Sequence, residues 1–471
     1  MNQHSGQLIA TQHDLVVDAD LLRRFDRPGP RYTSYPTADR FVEAFGPDQY
    51  RLFLERRHVG GILRPLSLYV HLPFCNTICY YCGCNKIITK DHGRSSKYLR
   101  YLRKEMELVS SLLAPREHVT QLHWGGGTPT FLNHGELTEL MEITREHFTL
   151  EADGEYSIEV DPRSAGPETI ELLGGLGFNR ISVGAQDFDP EVQRAVNRIQ
   201  SVDQTRQVID TARSCGFVSV NMDLIYGLPR QNLEHFRKSL DIVIDISPDR
   251  IALYNYAHLP TVFKPQRRII EAELPKPEER IGLLTNAIHQ LTEAGYVYIG
   301  MDHFAKPDDE LALAQRRGHL HRNFQGYSTR AECDLIGLGI TAIGSVGPSY
   351  IQNVRTLDEY YDSLDRGVLP VMRGYAASSD DLVRRAVIQA LMCNFAVSQR
   401  AVEIAHLIDF RRYFEAELEQ LAEYRELGLV DIEDDWITVT APGRLLVRPI
   451  CMVFDKYLRT AEQRARYSKV I

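Results

Sequence analysis

Residues 66–86 read LSLYVHLPFCNTICYYCGCNK, an apolar run that leads into Cys75, Cys79 and Cys82, with Cys84 two positions further on. The apolar half is a strand candidate, and the CxxxCxxC triplet occupies the loop that follows it. Three thiolates from one short loop can hold three irons of a [4Fe–4S] cube and leave the fourth iron open to a small molecule. An open iron beside a redox cluster points to chemistry rather than to electron carriage alone. A zinc site would need Cys84 or His71 to complete a tetrahedron. Disulfides fit poorly, because eight cysteines in 471 residues is sparse usage and four of them crowd within ten positions. Cys215, Cys333, Cys393 and Cys451 lie singly in apolar surroundings and read as packing residues.

Outward from this loop the chain alternates short β-branched runs with longer amphipathic ones, the rhythm of a parallel α/β sheet. Strands are expected at 120–124, 155–160, 179–185, 218–228, 250–257 and 296–304, and helices at 95–113, 135–148, 167–176, 202–215, 233–245 and 278–295. Six or seven βα units are enough to close or nearly close a barrel over residues 66–350. Before it, residues 1–65 include PGPRYTSYPTA, whose Pro, Gly and aromatic content reads as an irregular arm. Residues 351–375 read as a connecting segment and 376–471 as a mainly helical domain. Helices followed by the ribbon LVDIEDDWITVTAPGRLLV suggest a winged-helix-like shape there.

In such a barrel the loops after the strands gather at one face. The cysteine loop, GGGTPT at 125–130, EVDP at 159–162, GAQDF at 184–188, MDLIYGLP at 222–229 and YNYAHLP at 254–260 all fall in those positions. Gly125, Gly126 and Gly127 lack the Cβ atoms that would keep a ligand from backbone groups. Glu159 can accept two hydrogen bonds from ribose hydroxyls. Asp223, flanked by apolar residues, needs partners; Gln186 and Arg198 can add polar contacts, Arg198 to a carboxylate in fork geometry. Each of these also has an ordinary reading, as turn, strand terminus or surface residue.

Composition bounds the partners. With 44% hydrophobic and 25% charged residues the chain can bury a large core. No run approaches about 18 apolar residues, and MNQHSGQLIATQHD carries neither a basic nor an apolar leader region, so a cytoplasmic protein with no membrane span is expected. A net charge of −9, and 13 Lys and Arg against 15 Asp and Glu over 376–471, argue against nucleic acid as a partner.

YVHLPFCNTICYYCGCNK, GGGTPT, SIEVDP, VGAQDF and NMDLIYGLP, together with PRYTSYPTA and HRNFQGYST, resemble the oxygen-independent coproporphyrinogen III oxidases, radical S-adenosylmethionine enzymes of haem biosynthesis. The resemblance runs from about Arg31 to the end of the chain. It implies an α/β fold with a (β/α)6-type partial TIM barrel, one [4Fe–4S] cluster on Cys75, Cys79 and Cys82, and two S-adenosylmethionine molecules. Tyr69, Gly126, Glu159 and Ile343 match positions that hold the first; Tyr81, Gly127, Thr128, Gln186, Arg198, Asp223 and Ala257 match positions around the second. Cys84 matches a family cysteine that is not a ligand yet matters. Reduction of the cluster would release a 5′-deoxyadenosyl radical that starts the conversion of two propionates of coproporphyrinogen III to vinyl groups, giving protoporphyrinogen IX. Arg31, His303, Arg322 and Gln325 are candidates for the substrate's carboxylates. A reductant such as flavodoxin or ferredoxin and a monomeric state are expected. A related haem chaperone, another radical enzyme such as a methyltransferase or haem-degrading enzyme, and a plain electron-transfer or zinc-stabilised binding protein are the alternatives.

Overall fold

The computed structural model describes residues 15–57, 64–114, 117–331, 333–458 and 467. Six strands, β1 (Leu66–Leu72), β2 (His118–Gly126), β3 (Thr149–Val160), β4 (Arg180–Gln186), β5 (Ser219–Tyr226) and β6 (Arg250–Asn255), lie side by side in chain order. Each runs parallel to the next. The crossovers carry helices α1 (Gly93–Ser110), α2 (His134–His147), α3 (Pro167–Gly175), α4 (Val202–Ser214) and α5 (Leu233–Ile246). Asn133 and Ser201 start α2 and α4, each accepting the backbone N–H three residues on while Glu136 and Gln204 reach back.

Strand alternation explains why the barrel is hollow and polar. On β1, Leu66, Leu68, Val70 and Leu72 face the helices and are almost fully buried, while Ser67, Tyr69 and His71 take the other face. The same period puts Gln121 and His123 of β2, Glu155, Ser157 and Glu159 of β3, Arg180 and Ser182 of β4, and Ser219, Asn221 and Asp223 of β5 around one internal space. Burial of each Leu or Val on the outer faces is worth roughly 1.5–3 kcal/mol, which leaves the inner faces free to carry polar groups.

The sheet departs from expectation in three places. Residues 296–304 do not form a further parallel strand: β7 (Val297–Gly300) turns back as β8 (His303–Ala305), which pairs antiparallel with β6. The turn is made by Met301, which takes a left-handed conformation with φ 56°. A seventh parallel strand, β9 (Asp334–Leu338), pairs instead with the opposite edge of β1. Finally, residues 351–375 are more than a connector, because β10 (Ile343–Val346), β11 (Ser349–Asn353) and β12 (Val371–Ala376) extend the sheet to twelve strands. The order β12-β11-β10-β9-β1-β2-β3-β4-β5-β6-β8-β7 is linear, so the barrel is partial.

The arm holds helices Ala19–Phe25 and Pro47–Glu55, with irregular chain between them as expected for the PRYTSYPTA stretch. It ties the C-terminal domain to the sheet: Phe25 stacks on Tyr424, Tyr32 donates to Asp455 at 3.0 Å, and Val42 bridges Gly374 of β12. The C-terminal domain has helices Ser379–Asn394, Gln399–His406, Glu415–Glu426 and Val447–Val453 around a three-stranded antiparallel sheet, a winged-helix-like arrangement. Among the described residues no helix is long and apolar enough to cross a membrane.

Arg57 holds the arm to the barrel from a buried position, 2.9 Å from Glu117 and 2.9 Å from Asp334. Removing its charge leaves two carboxylates buried, so Arg57→Met is expected to destabilise the chain by about 3–5 kcal/mol, read as a lower urea midpoint with an unchanged slope.

Candidate active site at the mouth of the barrel

The cysteine loop leaves β1 under tight constraint from the glycine run. Gly127 N–H donates to Leu72 O at 2.8 Å and Thr128 N–H to Phe74 O at 2.9 Å. A Cβ on Gly126 would sit 2.7 Å from His71 Cε1, and one on Gly127 would sit 2.8 Å from the Pro73 and Phe74 backbone. Gly126 also has φ 116°, a conformation that side chains resist. The N–H of Gly126 donates to Glu159 Oε2 at 3.1 Å. The N–H groups of 126–128 are therefore spent inside the protein. The run serves by its lack of side chains rather than by a cradle of N–H donors.

A cavity of about 610 Å³ opens at this mouth. Cys75, Cys79, Cys82 and Cys84 line it, with Tyr81, Gly126, Gly127, Thr128, Glu159, Gln186, Arg198 and Asp223. Gln186 reaches it through a left-handed backbone, φ 69°, at an irregularity in the β4–β5 pairing. The structure thus brings together twelve of the expected residues. Tyr69, Gly125, Ala257 and Ile343 are not among the residues that line the cavity. Tyr69 stacks on His123, Gly125 would clash with Glu159 if it bore a Cβ, Ala257 O accepts from Gln266 at 3.2 Å, and Ile343 packs its backbone against Gly337.

Hydrogen bonds lock the polar groups in line. His71 Nε2 donates to Asn85 O in the cysteine loop at 3.1 Å, and Tyr69 OH donates to its Nδ1 at 3.0 Å. Burial pushes the His71 pKa down, which keeps this ring neutral. His123 Nε2 lies 3.3 Å from Glu159 Oε1, and its Nδ1 2.6 Å from Ser157 Oγ. A carboxylate only accepts, so Nε2 carries the hydrogen there. Burial works against the Glu159 charge, but the His123 imidazole and the Gly126 N–H hold its pKa below the usual carboxylate range. Asp223 accepts from Asn221 at 2.8 Å and from Ser182 at 3.1 Å. Burial and the charge of Glu159 nonetheless push it up to about 6.

Sequence reasoning missed Asp161, Arg163 and Lys86. Arg198 Nη1 lies 3.1 Å from Asp161 Oδ2 and 3.6 Å from Cys79 Sγ, and its Nη2 donates to Gly184 O at 2.6 Å. Arg163 Nη2 lies 2.7 Å from the same Asp161 oxygen and 3.5 Å from Cys79 Sγ. A carboxylate of the protein therefore already occupies part of the fork expected to receive a ligand. Lys86 Nζ donates to Cys82 O at 3.3 Å and Cys84 O at 3.2 Å. Asp161 and Arg163 follow Glu159 in EVDPR, where the strand end drew attention only to the first carboxylate.

Among the described residues no three His, Cys, Asp or Glu converge tightly enough to hold a single metal ion. Four free thiols around one cavity, with guanidinium and ammonium groups beside them, instead suit a wider, anionic multi-iron group. The donor set fits a cluster held by Cys75, Cys79 and Cys82.

The candidates for substrate carboxylates gather elsewhere, beside an adjoining polar cavity of about 180 Å³ that shares Glu159, Ser182, Asp223 and Tyr254 with the first. His303 and Gln325 line it. Arg31 pairs with Asp302 and lies 5.6 Å from the Tyr254 ring, and Arg322 lies 4.7 Å from the Tyr327 ring. Burial, with Arg322 and Arg31 nearby, drives His303 well below its usual pKa, so it is neutral. A third guanidinium, Arg448 of the C-terminal domain, joins this group; burial and the charges of Arg31 and Arg322 push it down to about 9.

A family model of the radical SAM superfamily matches residues 69–243, and one of the HemN C-terminal domain matches 377–446. The chain is 52% identical over 457 residues to the oxygen-independent coproporphyrinogen III oxidase of Pseudomonas aeruginosa, spanning 96% of this chain and 98% of that one. The chain belongs to the oxygen-independent coproporphyrinogen III oxidase family. The Escherichia coli member is 48% identical over 454 residues, 96% of this chain and 98% of its own. A solved structure of coproporphyrinogen III oxidase (HemN) from Escherichia coli, described as a radical SAM enzyme, matches with a TM-score of 0.90 at 47% identity, covering 94% of this chain and 100% of that one.

Asp223 supplies a prediction with a definite sign. Its folded pKa, about 6, lies above the unfolded value of 3.8, so its ionisation costs stability as pH rises through that window and nothing below it. Asp223→Asn is expected to raise unfolding stability at pH 7.5 by at most about 3 kcal/mol and to leave it unchanged near pH 4. Thermal melts across this range check it; equal gains at both pH values count against the assignment.

Proposed function

We propose that this chain converts two propionate side chains of coproporphyrinogen III to vinyl groups, giving protoporphyrinogen IX, with S-adenosylmethionine as the radical source. The observation that carries the reading is the joining of three cysteines, Glu159 and Arg198 on one cavity wall in a member of this family. When bound, the [4Fe–4S] cluster and S-adenosylmethionine supply a one-electron cleavage that yields a carbon radical able to take hydrogen from a propionate β-carbon. Loss of that hydrogen, of CO₂ and of one further electron leaves each vinyl group.

The protein's own residues bind, orient and exclude water. Glu159, held ionised, accepts from ribose hydroxyls, and Gly126 and Gly127 let the end of β2 close on the cysteine loop. We assign Tyr69, Gly126, Glu159 and Ile343 to one S-adenosylmethionine. A second is assigned to Tyr81, Gly127, Thr128, Gln186, Arg198, Asp223 and Ala257. The presence of residues from both sets on the cavity wall supports two molecules. Cys84 stays a non-ligand beside Cys82. Arg31, Arg322, Gln325 and the neutral His303 are assigned to the substrate's carboxylates, with Arg448 as a third cation. We further propose a monomer in the cytoplasm that takes its electrons from a small carrier protein and binds no nucleic acid. We read the domains as an arm to residue 65, the barrel, and a C-terminal cover from 376.

The test is anaerobic reconstitution with iron and sulfide, then dithionite, S-adenosylmethionine and coproporphyrinogen III. Vinyl-bearing product with about two 5′-deoxyadenosines per porphyrin is expected; 5′-deoxyadenosine without vinyl product refutes the reading. Cys79→Ala should lose the four-iron absorbance. Glu159→Gln should keep it while raising the KM for S-adenosylmethionine about tenfold to a hundredfold, as for loss of a charged hydrogen-bond acceptor.

A further inference from the structure

The proposed function, on which this inference rests, needs electrons from outside. The cavity side of the cysteine loop is reserved for ligands. Its outer side is covered by residues 256–270, the chain that follows β6. Gln266, buried to 2% exposure, pins this cover: its Nε2 donates to Tyr81 O at 3.0 Å and to Ala257 O at 3.2 Å, and its Oε1 accepts from Leu259 N–H at 2.6 Å. Phe263 lies over Gly83, so that a Cβ there would be 3.2 Å from the ring. Arg268 sits 5.4 Å from the Tyr80 ring. Tyr80 and Tyr81 pack on a small apolar cluster of Val192, Val196, Tyr256 and Ile269 that is separate from the main core.

The outside of this cover has an unusual composition. Val262 is 66% exposed and Ile270 56%, with Leu259 beside them. Exposed apolar side chains scattered singly need no explanation, but here they rim one loop. Residues 76–90 and 256–270 together contain Lys86, Lys90, Lys264, Arg267 and Arg268 and no Asp or Glu, in a chain whose net charge is −9. The flanking carboxylates are exposed Asp91 and Glu271 and half-buried Glu273, the last paired with Arg230 at 2.7 Å. Gly83 is itself exposed beside Phe263, so the cysteine loop reaches the surface here.

We propose that the face built by residues 76–90 and 256–270 is the docking surface of an acidic, flavin-bearing one-electron carrier protein. Lys90, Lys264, Arg267 and Arg268 meet its carboxylates, which steers encounter and sets orientation. Leu259, Val262 and Ile270 meet the exposed apolar edge of its ring system. In the transfer the carrier's flavin is oxidised by one electron and the cluster is reduced by one. No group on this surface changes its covalent state.

The experiment uses the reconstituted full chain with purified, fully reduced flavodoxin. Cluster reduction is followed by absorbance and electron paramagnetic resonance, and complex formation by calorimetry at low and high salt. In Lys264→Glu/Arg267→Glu, and separately in Val262→Asp, flavodoxin affinity and the rate of cluster reduction are expected to fall about tenfold or more. The wild-type rate should drop with salt, whereas that of the charge-reversed variant should not. Reduction by dithionite, and vinyl formation driven by it, stay at wild-type level in both variants. Unchanged flavodoxin rates, no complex with the wild-type chain, an equal loss with dithionite, or an effect confined to a [2Fe–2S] ferredoxin each overturns the proposal. Failure of the functional reading shows separately, as absence of vinyl product from the wild-type chain with dithionite.

Discussion

The structure depends on a backbone contact that leaves no room for a Cβ. The run Gly125–Thr128 closes on Leu72–Phe74 through two backbone hydrogen bonds, and a methyl group at 126 or 127 would fall within 2.8 Å of His71 or of the Pro73–Phe74 backbone. That contact fixes where β1 ends and therefore where Cys75 begins its loop. It also places the Gly126 N–H against Glu159, which joins the third strand to the same point. Three strand ends thus meet at one mouth through glycine backbone groups and the Glu159 carboxylate.

Electrostatics at this mouth follow from the hollow, polar barrel. Two inward carboxylates, Glu159 and Asp223, share a cavity and are driven apart in pKa, because Glu159 has an imidazole and a backbone N–H while Asp223 has only amide and hydroxyl donors and must face the Glu159 charge. Cationic groups take the cysteine side: Arg163 and Arg198 at Cys79 Sγ, and Lys86 at the loop carbonyls. They offset the negative charge that thiolates bring. Asp161 in turn holds both guanidiniums in place. A second cationic centre, Arg31, Arg322 and Arg448, is drawn from the arm, the hairpin at residues 321–328 and the C-terminal domain, so the three parts of the chain meet around it.

Much of this was legible beforehand, and the misses have physical causes. The six strands that follow one another in the sheet show the period-two alternation of apolar and polar residues that a hollow parallel barrel demands, as in LSLYVHL. The cysteine loop, the glycine run, Glu159, Gln186 and Asp223 stand in or just after those strands and, with Arg198 from beyond the helix Pro190–Ala195, converge on one cavity. Residues 296–304 looked like one strand because nothing in YVYIGMDHF announces that Met301 will adopt a left-handed turn. The strand at Asp334–Leu338 was passed over because no long helix introduces it; it is recruited by the free edge of β1. Arg163 escaped because its importance lies in a contact to Cys79, more than eighty positions earlier, and Asp161 because it acts by holding Arg163 and Arg198.

The sequence by itself determined the chemistry on offer: the thiol spacing, the glycines that permit close approach, and the strand rhythm that turns polar residues inward. These are properties of neighbouring residues, set by bond geometry and side-chain periodicity. Tertiary structure alone decided the pairings, namely that Arg198 answers to Asp161, that His71, held by Tyr69, supports the cysteine loop at Asn85, and that Arg448 joins Arg31 and Arg322. Charge and hydrogen-bond energies depend on separations of a few ångströms between groups that the chain order can leave tens or hundreds of residues apart. Only the closed arrangement of loops sets those separations.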